Sequence, residues 1–441
     1  MLDALPPRPS LEQYKKLAKD FQHACKSHDP GAVREWAARW ADTLARLQGQ
    51  AITPEARRKI GWVAEQVERQ WRKIQQSNEQ AARSTLAGAQ FFIARCHGFA
   101  GWPKFAKHLE GLARANSPVS RFESAVDAIV SGDIAALEKL LRDHPELVRA
   151  RSTRAHRSTL LHYASANGVE EFRQKTPGNI VEIAKMLLEA GADVNAESDA
   201  YGGRSTTLGL TATSCHPEAA GVQIALMETL IGRGAIIDGP DGGSGVNGCL
   251  HNGRGEAAEF LANRGARLDL EGAAGVGRLD VVQTFFNDDG ALKPPATREQ
   301  TIDGFAWACE FGRANVVDLL LRRGVKIDAR LKHNGQTGLH WAAHSGHVDT
   351  VKLLLEFRAP VDARDTSFDG TPLAWALYGW GNSPANPRRG DYYETVALLV
   401  RAGAKLDAQW FEEDDEERRR AVRRLHSDPR MQAALSGKIP K

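Results

Sequence analysis

Apolar and small residues return on a fixed step in the second half of the chain. Residues 307–328, WACEFGRANVVDLLLRRGVKID, and residues 341–362, WAAHSGHVDTVKLLLEFRAPVD, align at an offset of 34. Trp307 meets Trp341, Gly312 meets Gly346, Val317 meets Val351, and the leucines 319–321 meet 353–355. One more step of 34 reaches Trp375 in GTPLAWALYGW. Each period predicts the same elements: a small-residue helix, a glycine stop, a leucine-rich helix, a second Gly-Ala and a polar turn. Small residues let the first helix approach its neighbours closely, and glycine supplies the positive φ that ends a helix. No such unit buries its apolar face alone, so the units must stack.

Several recurring stretches resemble the ankyrin repeat. They are Gly370-Thr371-Pro372-Leu373, Thr337-Gly338-Leu339-His340 with Ala342-Ala343, Thr159-Leu160-Leu161-His162, and Gly191-Ala192-Asp193-Val194-Asn195. The resemblance implies an all-α dominated fold, an ankyrin-repeat α-solenoid of helix-turn-helix units with short β-hairpin turns. A small helical domain precedes it, and the arrangement resembles bacterial-type arrays. The expected division is a helical domain over 1–117, about eight units over 118–407, and a capping helix and tail over 408–441. The pattern departs from the family in places. Only the eighth unit has a full Thr-Pro-Leu, and the seventh has Arg358-Ala359 where Gly-Ala is usual. Three units carry extra residues between their helices, at 169–178, 216–221 and 381–390. Insertions at one place in a repeat leave the array on one face. They read either as tolerated loops or as a rim that touches a partner.

The front of the chain shows helical spacing without the 34-residue step. Ser10-Leu11-Glu12-Gln13 has the form of a capping box, and Asp29-Pro30 and Thr53-Pro54 start further helices. Four or five helices are expected, with Phe99 and Trp102 pinning a corner in CHGFAGWP. At the other end, WFEEDDEERRRAVRRLHSDPRMQAALSG runs from acid to base, which suits the dipole of one helix closing the array.

Totals alter this picture little. The 441 residues are 42% hydrophobic and 26% charged, enough for a sizeable core. The five cysteines are scattered, without C-x-x-C, and imply no disulfide framework. Neither an export signal nor a membrane-spanning run is visible, so a cytoplasmic setting is expected. Residues 1–117 hold 19 basic against 11 acidic side chains, and the remainder 39 against 44. The basic front is weak grounds for nucleic-acid binding, because solvated helix faces produce the same excess.

Two stretches suggest chemistry. HWAAHSGH, residues 340–347, spaces His340, His344 and His347 as zinc ligands could be spaced on one helix. The repeat register instead puts a helix stop at Gly346, and the resemblance implies that His340 and His347 hold adjacent units in register. GAAGVG, residues 272–277, looks like a phosphate loop but lacks both G-x-G-x-x-G spacing and a following Lys-Ser/Thr. No metal, cofactor or catalytic residue is therefore expected.

The expected function is binding of another protein by the concave helix surface and the hairpin tips. Candidate contacts are Glu310, Phe311, His344, Ser345 and Tyr378 beside the small-residue pairs. Tyr201, Arg204, His333, Gln336 and Phe368 are candidates at the turns. The tryptophans 307, 341 and 375 read as packing between units in preference to a partner-facing strip. Two other readings stay open: a hydrolase-like enzyme with a site in the N-terminal domain or between it and the array, and a nucleic-acid-associated regulator acting through the basic front.

Overall fold

The computed structural model describes residues 5–6, 9–27, 29, 31–47, 51–76, 85–239, 245–331, 335–382, 391–406 and 416–440. The chain forms two compact units, Met1–Pro240 and Asp241–Lys441.

The first unit begins with the helices Leu11–Lys26, Ala32–Leu47, Pro54–Gln76, Leu86–Cys96 and Trp102–Leu112. Ser10 accepts a hydrogen bond from the Gln13 backbone N–H at 3.2 Å, the half of the capping box that the structure shows. Aromatic side chains fill the core between these helices. Phe21 meets Trp36 at 4.5 Å between ring centroids and Tyr14 meets Trp40 at 5.7 Å. Phe99 is buried and lies 5.1 Å from Phe105, while Trp102 lies 5.8 Å from the same ring, so both hold the expected corner.

Three repeats follow in this unit, with helix pairs Pro118–Ser131 and Ile134–Asp143, then Leu160–Ser165 and Ile180–Glu189, then Thr207–Thr213 and Gln223–Gly232. The first helix of the second pair is a 3-10 turn, cut short where Ala166 enters the left-handed region at φ 48°. The insertion at 169–178 does not run out as a loop. Val169, Glu170 and Arg173 are buried, and Glu171–Arg173 forms a short 3-10 helix.

The second unit holds five pairs: Gly245–His251 with Gly255–Asn263, Leu270–Gly275 with Leu279–Thr284, Arg298–Glu310 with Ala314–Arg322, Gly338–Ser345 with Val348–Glu356, and Pro372–Asn382 with Tyr392–Arg401. Of the third insertion, residues 383–390 lie outside the described residues. The end is closed by two helices, Glu416–Ser427 and Pro429–Leu435, instead of one. Asp428 caps the second through its carboxylate and Pro429 starts it, which breaks the run. Leu425, Met431 and Ala434 complete the apolar core of the last repeat.

Glycines set the register. Gly132, Gly168, Gly221, Gly253, Gly277, Gly312 and Gly346, all between the helices of a pair, have φ between 67° and 80°. At Gly132, Gly168, Gly277 and Gly312 space is short as well. A Cβ on Gly312 would stand 2.7 Å from the His347 ring of the next repeat, and one on Gly132 would stand 2.7 Å from Asn179. His340 and His162 perform one task in two repeats. The backbone N–H of Thr337 donates to His340 Nδ1 at 3.1 Å, which leaves the ring proton on Nε2 to donate to the Gly370 carbonyl at 3.1 Å. His162 repeats this with Thr159 and Ser205 at 3.2 and 3.1 Å. Arginines stitch the turns: Arg330 donates to the Gly335 and Arg364 carbonyls at 2.7 Å, and Arg151 to those of Arg157 and Glu197 at 3.0 and 2.7 Å.

Arg358 occupies the place that Gly324 holds one repeat earlier, and adopts φ 61° against 90°. The left-handed region costs a residue with a Cβ about 1 kcal/mol or more. Arg358→Gly should therefore raise the free energy of unfolding by about 1 kcal/mol, read from urea midpoints; an unchanged or lower midpoint would refute the register. Burial pushes the His162 imidazole down to about 4, so the folded repeat holds it neutral. The unfolded chain takes up that proton first as pH falls below about 6.5, so the stability His162 contributes is complete above that pH and declines toward 4. The penalty of His162→Gln should shrink by about 2 kcal/mol between pH 7 and pH 5. A pH-independent penalty would contradict the neutral assignment.

Candidate functional site

The second unit brings several predicted contact residues into one run of rings. Trp307 lies 6.2 Å from Trp341, which lies 5.5 Å from Trp375. His344 sits 5.5 Å from Trp375 and stacks on Tyr378 at 6.2 Å with 24° between planes. Phe368 meets the Trp375 edge at 6.1 Å. The ladder expected as packing between repeats does pack ring on ring, and it also reaches the surface. Trp307 is buried, Trp341 and Trp375 are half-buried, and Tyr378 and Phe368 are 53% and 75% exposed.

Local chemistry fixes this run. Gly379, one turn below Trp375, packs its bare Cα against the His344 carbonyl, and Tyr392 Oη donates to the same oxygen at 2.9 Å. The turn carrying Phe368 is built on the Asp365 carboxylate. It accepts backbone N–H bonds from Ser367 and Phe368 at 2.8 Å and from Gly370 at 2.9 Å, and the Trp375 indole N–H at 3.0 Å. Burial alone would raise this carboxyl, yet these donors hold it below the usual carboxylate range.

The opposite end holds residues that were not named as contacts. His251 Nε2 lies 2.7 Å from Glu271, whose carboxylate also accepts the Trp307 indole N–H at 2.9 Å. The His251 and Trp307 rings are 5.1 Å apart. The hydrogen bond to Glu271 raises the His251 pKa. The register did contain the signal. His251 follows Cys249-Leu250 as His344 follows Ala342-Ala343 and Tyr378 follows Ala376-Leu377.

Other predicted contacts fall elsewhere. Glu310 and Phe311 are half-buried, and Phe311 lies over the backbone of Gly255, where a Cβ would stand 2.7 Å from the ring. Glu310 Oε2 is shut off from solvent without a hydrogen-bond partner, and burial pushes its carboxyl up to about 8. Ser345 is half-buried. Gln336 is 1% exposed, so it is a turn interior and not a surface contact. His333 lies outside the described residues. Tyr201 and Arg204 belong to the first unit, on the hairpin that pairs Glu197 with Thr206 and Ser198 with Ser205. Tyr201 is 76% exposed and its hydroxyl donates to Asn167 at 2.6 Å; Arg204 faces Glu197 at 3.4 Å.

The histidines of HWAAHSGH divide as the register implies. The helix Gly338–Ser345 stops at Gly346, φ 72°, and His347 caps the next helix over Gly312. Among the described residues no group of three or more His, Cys, Asp or Glu is arranged to hold a metal ion. No helix there is long and apolar enough to cross a membrane.

The family model "Ankyrin repeats (3 copies)" matches residues 305–409, and "Ankyrin repeat" matches residues 156–199. No curated protein matches. Among solved structures, the human ASB11 ankyrin repeat domain is 21% identical, covering 64% of this chain and 99% of its own, with a TM-score of 0.32 that is too loose to carry the assignment. The matched segments are ankyrin repeats, and the helix-glycine-helix geometry recurs outside them. Such repeats are generally protein–protein interaction modules.

The Glu271 contact makes a checkable claim about His251. In an NMR titration His251 should reach half-protonation above the usual histidine value of about 6.5, and Glu271→Gln should bring it back down. An unchanged midpoint in the variant would remove Glu271 as the cause.

Proposed function

We propose that the chain is a binding module that engages a protein partner through the ring strip of its second unit. The supporting observation is the continuous run from His251 through Trp307, Trp341 and Trp375 to His344, Tyr378 and Phe368, part buried and part open. Half-buried aromatics held by neighbours lose little side-chain entropy on docking and bury large apolar areas, the pattern of interface hot spots. Asp269, Glu271 and Asp303 act on His251 at one end, so that end suits a basic partner side chain while the other suits an apolar one. Nothing in the strip pairs a nucleophile with a base, so binding is the reading it supports. The hairpin residues Tyr201 and Arg204 serve as a second contact region in the first unit.

Affinity capture from the source cells with the full chain tests this. His344→Ala/Tyr378→Ala/Phe368→Ala should lose a partner that the parent protein retains, by about tenfold or more. Unchanged recovery of every captured protein would overturn the strip as the docking surface.

A further inference from the structure

The first unit contains a cleft of about 460 Å³ that the ring strip does not involve. That is the size of a small-molecule site. Four separate stretches line it. Val67 and Arg95 come from the N-terminal helices, His156 from the turn before the second repeat, and Val169, Glu170 and Gln174 from the insertion at 169–178. The insertion is tied down by charge. Arg173 pairs with Glu123 and, at 2.7 Å, with Asp127, and Arg154 reaches Glu123 at 2.8 Å and Glu170 Oε1 at 2.7 Å. The Tyr163 hydroxyl donates to the same Glu170 oxygen at 3.2 Å.

Two polar atoms of this wall are left over. Glu170 Oε2 is buried without a hydrogen-bond partner, and so is His156 Nε2. The Ser158 backbone N–H donates to His156 Nδ1 at 3.2 Å, which puts the ring proton on Nε2 as an unused donor, 3.7 Å from Glu170 Oε1. A buried polar atom left unpaired is destabilising, and a ligand group that pairs with it recovers that cost. Arg95, in the same lining, forms no ion pair among the described residues. Val67 and Val169 supply apolar wall.

We propose that this cleft binds a small zwitterion, a free amino acid or dipeptide with an apolar side chain. Its ammonium donates to Glu170 Oε2, its carboxylate meets Arg95 and the His156 Nε2–H, and its side chain lies on Val67 and Val169. Overall neutrality fits the wall. Arg154 and Arg173 balance Glu123 and Glu170, and exposed Arg95 and Glu171 add one charge of each sign to the lining, so a ligand that carries both charges adds no net charge to the site. The insertion, which is an extra stretch relative to the repeat pattern, supplies the carboxylate that defines the site.

Isothermal titration calorimetry on the full chain tests it, with leucine, phenylalanine and leucyl-leucine as probes and N-acetylleucine and leucine amide as controls. Saturable binding by at least one zwitterion is expected, weakened about tenfold or more when either terminus is blocked. Arg95→Ala, an exposed position, should weaken it similarly without altering thermal unfolding. Glu170→Gln should abolish it; if that variant fails to fold, Arg95→Ala and the blocked probes still decide. No heat of binding from any zwitterion at millimolar concentration, equal binding of the blocked forms, or full binding by Arg95→Ala would overturn the assignment.

Discussion

The stack depends on glycines between the helices of a pair, each ending the first helix in a left-handed conformation. Three of them also leave room for the residue that caps the second helix of the next repeat. His347 over Gly312, Arg313 over Gly277 and Asn179 over Gly132 are three cases of one contact. Asn179 adds a hydrogen bond to the Gly132 carbonyl at 2.9 Å. At the junction of Gly312 and His347 this contact accompanies the ring contact of Trp307 with Trp341, and other junctions are held by the Thr–His bridges and by Gly379 against the His344 carbonyl.

The same constraint explains what was legible in the sequence. The glycines follow at near-regular steps only late in the chain, 35 from Gly277 to Gly312 and 34 from Gly312 to Gly346, and there helix pairs, stops and the fate of HWAAHSGH could all be read from the period. His340 and His347 are histidines for reasons of register, which is why their spacing imitates a metal site. Contacts made by side chains outside the period were less legible. The insertion at 169–178 looks like a polar loop because its charged residues are counted singly. Its burial becomes understandable only when Arg173 and Glu170 find Glu123 and Arg154 from distant parts of the chain. Gln336 was misplaced for a related reason, since a polar residue in a turn can still face inward. His251 was legible but overlooked, because Leu250-His251 imitates the repeat signature in the wrong register.

A scaffold of this kind separates its tasks by position. Small residues and leucines hold the stack, the bridging histidines are kept neutral by burial, and the residue after each small pair differs from repeat to repeat. In the second unit that position carries His251, Glu310, His344 and Tyr378, and Gly275 where Leu250 leaves no room for a side chain. Three of these join the ring strip, and Glu310 turns inward and is held protonated by burial near neutral pH. Variation at one register position on a fixed backbone is thus enough to write a surface without altering the fold.

The most direct measurement of that claim is site-specific photocrosslinking in the source cells. A photoreactive residue is placed in turn at positions 251, 344 and 378, and at 349 and 356 on the neighbouring second helix. The account predicts one shared protein adduct from the first three positions and none from the last two. Adducts of equal yield from both sets, or none from the strip positions, would contradict it.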